Sequence, residues 1–402
     1  MAVEAAYLTE LSWLSFLLLL GVILSFLASK LKISDLLLLL LTGLLVGELT
    51  HLTFTQSFLT SLSVFALIMI IFDSASKFKP KEFYQLSPPA IKLSFVFLLL
   101  SLILLSLLTH MLFSPDVSSL KLLVLSGIFG AMMSGTSPDV ILSLMKGTTQ
   151  KVAKIIEVES IINTPLAVLL PFIFLDFYFG TIEANVLLVT FLQGIMTGVG
   201  TGVVVALIVF SVMQRRFQPL LSPLVVIASA LVSYVLAENI GGNGVLSVTG
   251  FALIFGAFTL KEKAHIEDFS AVFTNFLKIV VFLLIGLVIK VPWTDRAFLL
   301  KSALLFLGYL IIRYLAVKIA FYKADLTEKE ALFMSLNVAK GVAIAVMIFI
   351  LSAYSIEGLK EIQVLSLLFV LYSILLSTIV VYFQGYFLSN RKNVLKKKGS
   401  PA

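Results

Sequence analysis

The stretch that decides the fold is EVESIINTP, residues 157–165, which places two carboxylates, two hydroxyls and an amide within a few residues of one another. It lies inside about 25 otherwise apolar residues, a length that predicts a membrane-spanning helix. A helix turns by about 100° per residue, so Glu157, Ser160 and Thr164 fall on one strip of its surface. Polar groups at this depth in a membrane are costly and usually functional. The stretch is therefore a candidate binding site.

A second polar strip, formed by Glu159 and Asn163, lies beside Ser160 on the same helix. Together the two strips make almost half of the helix surface polar, so this side is expected to face protein. The other half is rich in Ile, Leu and Val and is suited to face lipid.

Composition places the chain among polytopic membrane proteins. It has 402 residues and is 60% hydrophobic, whereas soluble domains are about 45–50% apolar. No long polar stretch leaves room for a soluble domain, so we expect one all-α transmembrane domain over residues 1–390. A basic tail, residues 391–402, follows it and includes RKNVLKKK.

The same composition argues against an enzyme. The chain has no cysteine, and its three histidines show no metal-ligand spacing. No nucleophile motif or glycine-rich phosphate loop falls in the apolar segments. We therefore expect no cofactor and no catalytic residues. The net charge of +7 is attributed to basic cytoplasmic loops and not to nucleic-acid binding.

Apolar segments of about 20 residues predict about thirteen transmembrane helices. Their expected limits are 8–29, 33–50, 58–76, 90–113, 119–146, 154–178, 184–213, 220–238, 243–260, 270–290, 297–321, 328–355 and 362–388.

Lysines and arginines set the expected orientation of these spans. The basic tail places the C-terminus in the cytoplasm, and thirteen spans then put the N-terminus outside. With this count the basic residues concentrate in the inner loops, except at the loop after the tenth span. We therefore expect a multi-pass protein of the cell membrane with this orientation.

Two of the spans contain helix-breaking sequences at mid-membrane depth. In GAMMSGTSPDVILSLMKG, within 119–146, Pro138 should break the helix near Thr136. In FMSLNVAKGVAIAVM, within 328–355, the interruption is Asn337, Lys340 and Gly341. Lys340 is too deep to reach the membrane surface easily. Broken helices at matching places in two halves predict the inverted repeats of a secondary transporter, with the seventh span as linker.

Several of these segments resemble motifs of the monovalent cation/proton antiporter family, in its archaeal NhaP-like branch. The resemblance covers most of the chain and rests on the order and spacing of the motifs. The segments are KLKISDLLLLLLTGLLVG at 30–47, GTSPD at 135–139, EVESIINTP, VFLLIGLVIK at 281–290 and AKGVAIAV at 339–346.

The resemblance implies an NhaA/NapA/NhaP-like antiporter fold with two crossing discontinuous helices, and a homodimer in the bilayer. It implies alternating access in which Na⁺, or Li⁺ or K⁺, competes with H⁺ for one site. Carried onto this chain, Thr136 and Ser160 would contact the ion. Glu159 would pair with Lys340 as a structural ion pair, and Asn163 would brace the crossing helices.

Two residues depart from the family pattern. Ser137 and Thr164 occupy the positions of the two aspartates that usually bind the ion and carry the proton. A dehydrated cation needs a counter-charge in a low-dielectric site. Asp139 is the first candidate to supply it and Glu157 the second, while Asp73 faces a cytoplasmic funnel or marks the membrane edge.

The leading prediction is therefore a Na⁺/H⁺ antiporter with a relocated carboxylate. A K⁺/H⁺ exchanger, an uncoupled cation pathway and a non-transporting regulatory protein stay open as alternatives. Arg313 and Lys278, inside apolar spans, are predicted either to pair with core acids or to reach the membrane surface.

Overall fold

The computed structural model describes residues 2–31, 33–50, 54–77, 80–114, 119–137, 151–180, 186–215, 217–258, 263–323 and 326–388. The secondary structure over these ranges is helical. The helices are α1 (Ala2–Leu31), α2 (Asp35–Leu49), α3 (Gln56–Ser76), α4 (Pro80–Leu100), a π-helical segment (Ser101–Leu105), α5 (Ser106–Phe113), α6 (Leu120–Ser134), α7 (Lys151–Phe179), α8 (Leu187–Arg215), α9 (Ser222–Asn239), α10 (Gly244–Ala257), α11 (Lys263–Val288), α12 (Arg296–Ala320), α13 (Glu328–Leu336), α14 (Val342–Leu351), α15 (Leu359–Tyr382) and α16 (Gln384–Phe387).

Each of the thirteen predicted spans coincides with a helix or a helix pair, although the fifth can be followed only to Ser137. Within the described ranges, nine helices are long and apolar enough to cross a membrane, and α6, α10 and α14 are shorter apolar helices. The prediction of an all-α, multi-span membrane protein is therefore confirmed. Helix α1 is longer than the predicted span 8–29, and its apolar part is Leu11–Leu31.

Both predicted helix breaks are present. Helix α6 ends at Ser134, and residues 135–137 have no helical structure. Helix α13 ends at Leu336, and α14 begins only at Val342. The breaks fall where proline, glycine and polar residues oppose a continuous helix.

The helix packing follows the two-fold repeat predicted from the broken spans. Helix α2, the second span, packs along α11, the tenth. Helix α10, the ninth span, packs along α3, the third. In a repeat offset by seven spans, the second span corresponds to the ninth and the third to the tenth. The pair of second and tenth spans then corresponds to the pair of ninth and third, as an inverted repeat with the seventh span as linker requires.

The fourth span contains a π-helical segment that the sequence did not predict. It packs against α6 at Gly130. A Cβ atom at that glycine would lie 2.2 Å from Ser106 Oγ and 2.8 Å from the Ser101 carbonyl oxygen. Glycine is therefore needed for the fourth span to approach the helix that leads into the first break.

Candidate functional site

The two broken spans meet at their non-helical segments. The Ser137 amide donates a hydrogen bond to the Ala339 carbonyl oxygen at 2.8 Å, which joins one break directly to the other. Such a contact satisfies backbone groups that would otherwise be exposed in a membrane. The contact brings the two breaks together, as the predicted crossing of the broken spans requires.

Gly341 makes this close approach possible. A Cβ atom at this position would lie 2.1 Å from Ser137 Oγ and 2.5 Å from Ser137 Cβ. Any larger residue would therefore push the two breaks apart.

Thr136, Ser160 and Thr164 form a compact group that we call the hydroxyl cluster. Thr136 Oγ1 lies 3.0 Å from Ser160 Oγ. Thr164 Oγ1 lies 3.1 Å from the Thr136 carbonyl oxygen and 2.6 Å from the Ser160 carbonyl oxygen. The cluster thus joins the first break to the helix of the EVESIINTP stretch.

Asn163 holds the first break in place through hydrogen bonds. Its Oδ1 accepts a hydrogen bond from the Thr136 amide at 3.2 Å. Its Nδ2 donates to Thr136 Oγ1 at 3.0 Å and lies 3.3 Å from Glu159 Oε1. The amide side chain is therefore a brace whose hydrogen-bonding capacity is largely used.

A small cavity of about 30 Å³ opens beside the hydroxyl cluster. Its polar walls come from both breaks, from α7 and from α3, and the described lining residues carry no charged side chain. The lining residues are Leu67, Ile70, Ile71, Ser74, Gly135, Thr136, Ser137, Ser160, Ile161, Thr164, Gly341, Val342, Ala343 and Ile344.

Four of the predicted site residues, Thr136, Ser137, Ser160 and Thr164, therefore share one cavity. Ser74 joins them, and the sequence analysis missed it. A serine near the C-terminal end of an apolar span was its only signal.

The three carboxylates predicted to carry the ion have different outcomes. Asp139 lies outside the described residues, so its role stays a prediction. Glu157 is half-buried on α7 and does not line the cavity. Asp73 is 7% exposed, lies one residue before the cavity-lining Ser74, and pairs with Lys77 Nζ at 2.8 Å.

The predicted ion pair between Glu159 and Lys340 is wrong. Glu159 pairs instead with Arg313 of α12, through two parallel hydrogen bonds of 2.6 Å each. Both side chains are fully buried. A planar guanidinium matches a carboxylate in this two-point geometry, which a lysine ammonium cannot reproduce. Of the two predictions for Arg313, pairing with a core acid is the correct one.

Lys340 supports the crossing helices in another way. Its Nζ donates hydrogen bonds to the carbonyl oxygens of Met133 at 2.6 Å and Gly135 at 2.5 Å. These are carbonyls at the end of α6, where the helix leaves them without intrahelical partners. A cation at a helix C-terminus is also favoured by the helix dipole. Lys340 therefore caps the first half of one broken span from the break of the other.

Aromatic rings surround these buried charges. Lys340 Nζ lies 4.8 Å from the centre of the Tyr309 ring, and Arg313 Cζ lies 4.6 Å from the centre of the Phe97 ring. Cation–π contacts of this kind stabilise a charge that has lost its water.

The comparison with known families agrees with this architecture. A family model described as "Sodium/hydrogen exchanger, transmembrane" matches residues 15–384. The chain belongs to the sodium/hydrogen exchanger family. Members of this family are membrane transporters and not catalytic enzymes, so the prediction that the chain is no enzyme is confirmed.

Individual members of the exchanger family are distant relatives. A protein of Methanocaldococcus jannaschii named "Probable Na(+)/H(+) antiporter 2" is 25% identical over 323 residues, which are 75% of this chain and 74% of that protein. The low-affinity Na⁺/H⁺ antiporter NhaS1 of Synechocystis is 28% identical over 174 residues. That match covers 41% of this chain and only 33% of the relative.

A solved exchanger structure shares the fold. It is the sodium proton antiporter MjNhaP1 from Methanocaldococcus jannaschii at pH 8, with a TM-score of 0.83 and 19% sequence identity. The match covers 95% of this chain and 98% of that one. The predicted NhaP-like antiporter fold is thereby confirmed.

Proposed function

We propose that this chain is a secondary active transporter that exchanges a monovalent cation, Na⁺ in the first place, for H⁺ across a membrane by alternating access. The observation that carries the proposal is the meeting of two broken helices at a small cavity lined by hydroxyl groups. Broken helices supply carbonyl oxygens and helix ends at the depth where an ion must be bound. The chain's membership of the sodium/hydrogen exchanger family supports the same function.

The oxygen atoms of the hydroxyl cluster are the proposed cation ligands. The Thr136 hydroxyl lies within hydrogen-bond distance of the Ser160 hydroxyl, and the Thr164 hydroxyl lies within hydrogen-bond distance of the Thr136 carbonyl oxygen. Small shifts would let them turn toward a common ion. Uncharged oxygens can replace part of an ion's hydration shell, and Ser137 and Ser74 add further hydroxyls to the same cavity.

The counter-charge is assigned to Asp139, two positions after Ser137 in the sequence. Exchange requires one group that binds either H⁺ or the cation, and the described walls of the cavity hold no acid. Glu157 is the second candidate, on the strip of α7 that carries Ser160 and Thr164. Asp73, joined to Lys77, is placed third and at the entrance.

The proposed orientation in the membrane follows from the charged loops, and the proposed dimer follows from exposed apolar residues. The distribution of basic residues among the loops supports a C-terminus in the cytoplasm and an N-terminus outside, in the cell membrane. A homodimer would cover part of the apolar surface of α1 and α8, where residues such as Phe16, Phe26 and Met196 are exposed.

The deciding experiment uses proteoliposomes with an acid interior and adds Na⁺, Li⁺ or K⁺ outside. We expect a saturable, Na⁺-triggered alkalinisation of the interior that is lost in Asp139→Asn and retained in a control, Lys301→Gln. A response to K⁺ alone would instead make the chain a K⁺/H⁺ exchanger.

Other outcomes would relocate the site or reject the proposal. Loss in Glu157→Gln but not in Asp139→Asn would move the proton carrier to α7. Cation flux without proton movement would favour an uncoupled pathway. If folded protein showed no flux with any of the three cations, a regulatory role would be favoured. The uncharged cavity wall would then explain the absence of transport.

A further inference from the structure

A second cavity, of about 670 Å³, lies between α4, the end of α12 and the start of α13. It is far larger than the cavity at the crossing helices and shares no lining residue with it. Its lining residues are Lys92, Leu315, Val317, Lys318, Ile319, Phe321, Tyr322, Lys323, Leu326 and Ala331.

Three lysines line this cavity: Lys92 on α4, Lys318 on α12 and Lys323 in the turn that follows α12. Lys318 pairs with Glu328 at 2.5 Å. Lys92 and Lys323 are exposed and make no ion pair with any residue in the described ranges. Within the described ranges, the cavity therefore presents two positive charges that have no ion-pair partner.

Lys92 lies at an unusual depth for a charge. The apolar span of α4 that crosses the membrane begins at Pro88, so Lys92 is one helical turn inside it. A lysine at that depth extends its ammonium toward the headgroup region, where lipid phosphates are found.

Along the chain, residues that line the cavity change from apolar to aromatic to basic, in the order found from the interior of a lipid leaflet to its headgroups. Leu315 and Ile319, one turn apart on α12, are exposed. Tyr322 follows at the membrane edge with 84% of its surface exposed, and Lys323 comes next. Aliphatic side chains, then an aromatic ring, then a lysine is the sequence of contacts that acyl chains, interface and headgroup would make.

We propose that this cavity binds the headgroup phosphate of an anionic phospholipid. Lys92 and Lys323 contact the phosphate, and the acyl chains lie along Leu315 and Ile319. Basic pockets between transmembrane helices are the known form of such sites. The chain's own basic tail is excluded as an occupant, because its charge has the same sign as the pocket.

At this location, a bound lipid would connect helices that pack against the crossing-helix site. Helix α4 packs on α7, which carries Ser160 and Thr164 of the hydroxyl cluster, and α13 leads into the second break. A phosphate held between α4 and the end of α12 would tie these elements together. We therefore expect the lipid to stabilise the folded protein by binding it preferentially.

The test measures lipid binding by the purified full-length chain in detergent, by native mass spectrometry and by thermal unfolding. Phosphatidylglycerol should bind and raise the unfolding temperature, and phosphatidylcholine should do neither. In Lys92→Gln with Lys323→Gln, phosphatidylglycerol binding should weaken about 30-fold, as two surface lysines predict. Replacement of both by arginine should retain binding.

The matched control removes the same charge elsewhere, by Lys301→Gln with Lys360→Gln. Both lysines are exposed and line neither cavity. Equal loss of binding in this control would overturn the proposal, since any basic surface would then suffice. Equal binding of phosphatidylcholine would also overturn it. Stabilisation by inorganic phosphate as strong as that by phosphatidylglycerol would assign the site to a soluble anion instead. Size-exclusion profiles that match the unmodified protein establish that each variant is folded.

Discussion

Two polar clusters lie side by side at the crossing helices, and they differ in how their groups are satisfied. The charged cluster, Glu159, Arg313 and Lys340, is fully buried. Glu159 and Arg313 bind each other, and Lys340 binds backbone carbonyls. The hydroxyl cluster, Thr136, Ser160 and Thr164, is uncharged and lines a cavity.

This contrast distinguishes buried polar groups that support the fold from polar groups that can bind an ion inside a membrane. A buried charge that already has a bidentate partner is held there by the cost of breaking the pair. It has little capacity left for a ligand. Hydroxyls and a carbonyl beside open space can reorient at small cost, so the uncharged cluster is the better candidate for the ion.

The largest expected effect comes from breaking the ion pair. Glu159→Gln leaves the Arg313 guanidinium buried without its partner, which should cost about 3–5 kcal/mol of unfolding free energy. Glu159→Gln with Arg313→Met should recover most of that loss. Thermal unfolding of the purified protein measures both.

Lys340 supplies the control for this prediction. Glu159→Gln with Lys340→Met should not recover stability, because Lys340 binds Met133 and Gly135 and not Glu159. Recovery in this pair, and none with Arg313→Met, would show that the ion pair is assigned to the wrong residue.

A smaller effect is expected where the two breaks touch. Gly341→Ala places a Cβ against Ser137, and overpacking of this kind should cost about 1–3 kcal/mol. Adding Ser137→Gly should relieve the clash. Unfolding temperature and cation flux report the change together, because the same contact positions the cavity.

Gly200 of α8 is the matched control for the glycine prediction. A Cβ there would meet no atom within 4 Å, so Gly200→Ala should be neutral or slightly stabilising by helix propensity. If the two alanine variants were equally unstable, the close contact at Gly341 would not be the cause.

The smallest effect is expected in the hydroxyl cluster and should be seen in transport alone. Thr164→Val removes one proposed ligand while nearly conserving shape, so the Na⁺ concentration for half-maximal flux should rise about fivefold. Stability should change little. Thr378→Val, which loses only a bond to its own helix, is the control and should leave flux unchanged. Unaltered Na⁺ dependence in Thr164→Val would remove that hydroxyl from the site.

Much of this architecture could be predicted from local sequence. Runs of about 20 apolar residues marked the spans. Pro138 marked one break, and Asn337, Lys340 and Gly341 marked the other. Ser160, Asn163 and Thr164 were identified as polar residues inside an apolar span, and the resemblance to the antiporter family supplied the roles of Thr136, Ser160 and Asn163. These signals depend on a few neighbouring residues each, so they can be read without knowledge of the packing.

The partners of the buried charges could not be predicted in the same way. Glu159 and Arg313 are 154 positions apart, and two basic residues, Arg313 and Lys340, competed for one carboxylate. Only the packing of α12 against the core brings the guanidinium into place. The role of Ser74 in the cavity wall depends likewise on how α3 turns toward the crossing helices.

The sequence by itself thus determined that the chain spans a membrane many times and is broken twice at its centre, because hydropathy and backbone chemistry act locally. Tertiary structure decided which charges neutralise one another and which oxygens face open space. Those outcomes depend on distances between helices that are remote in the chain, and a linear pattern holds no information on such distances.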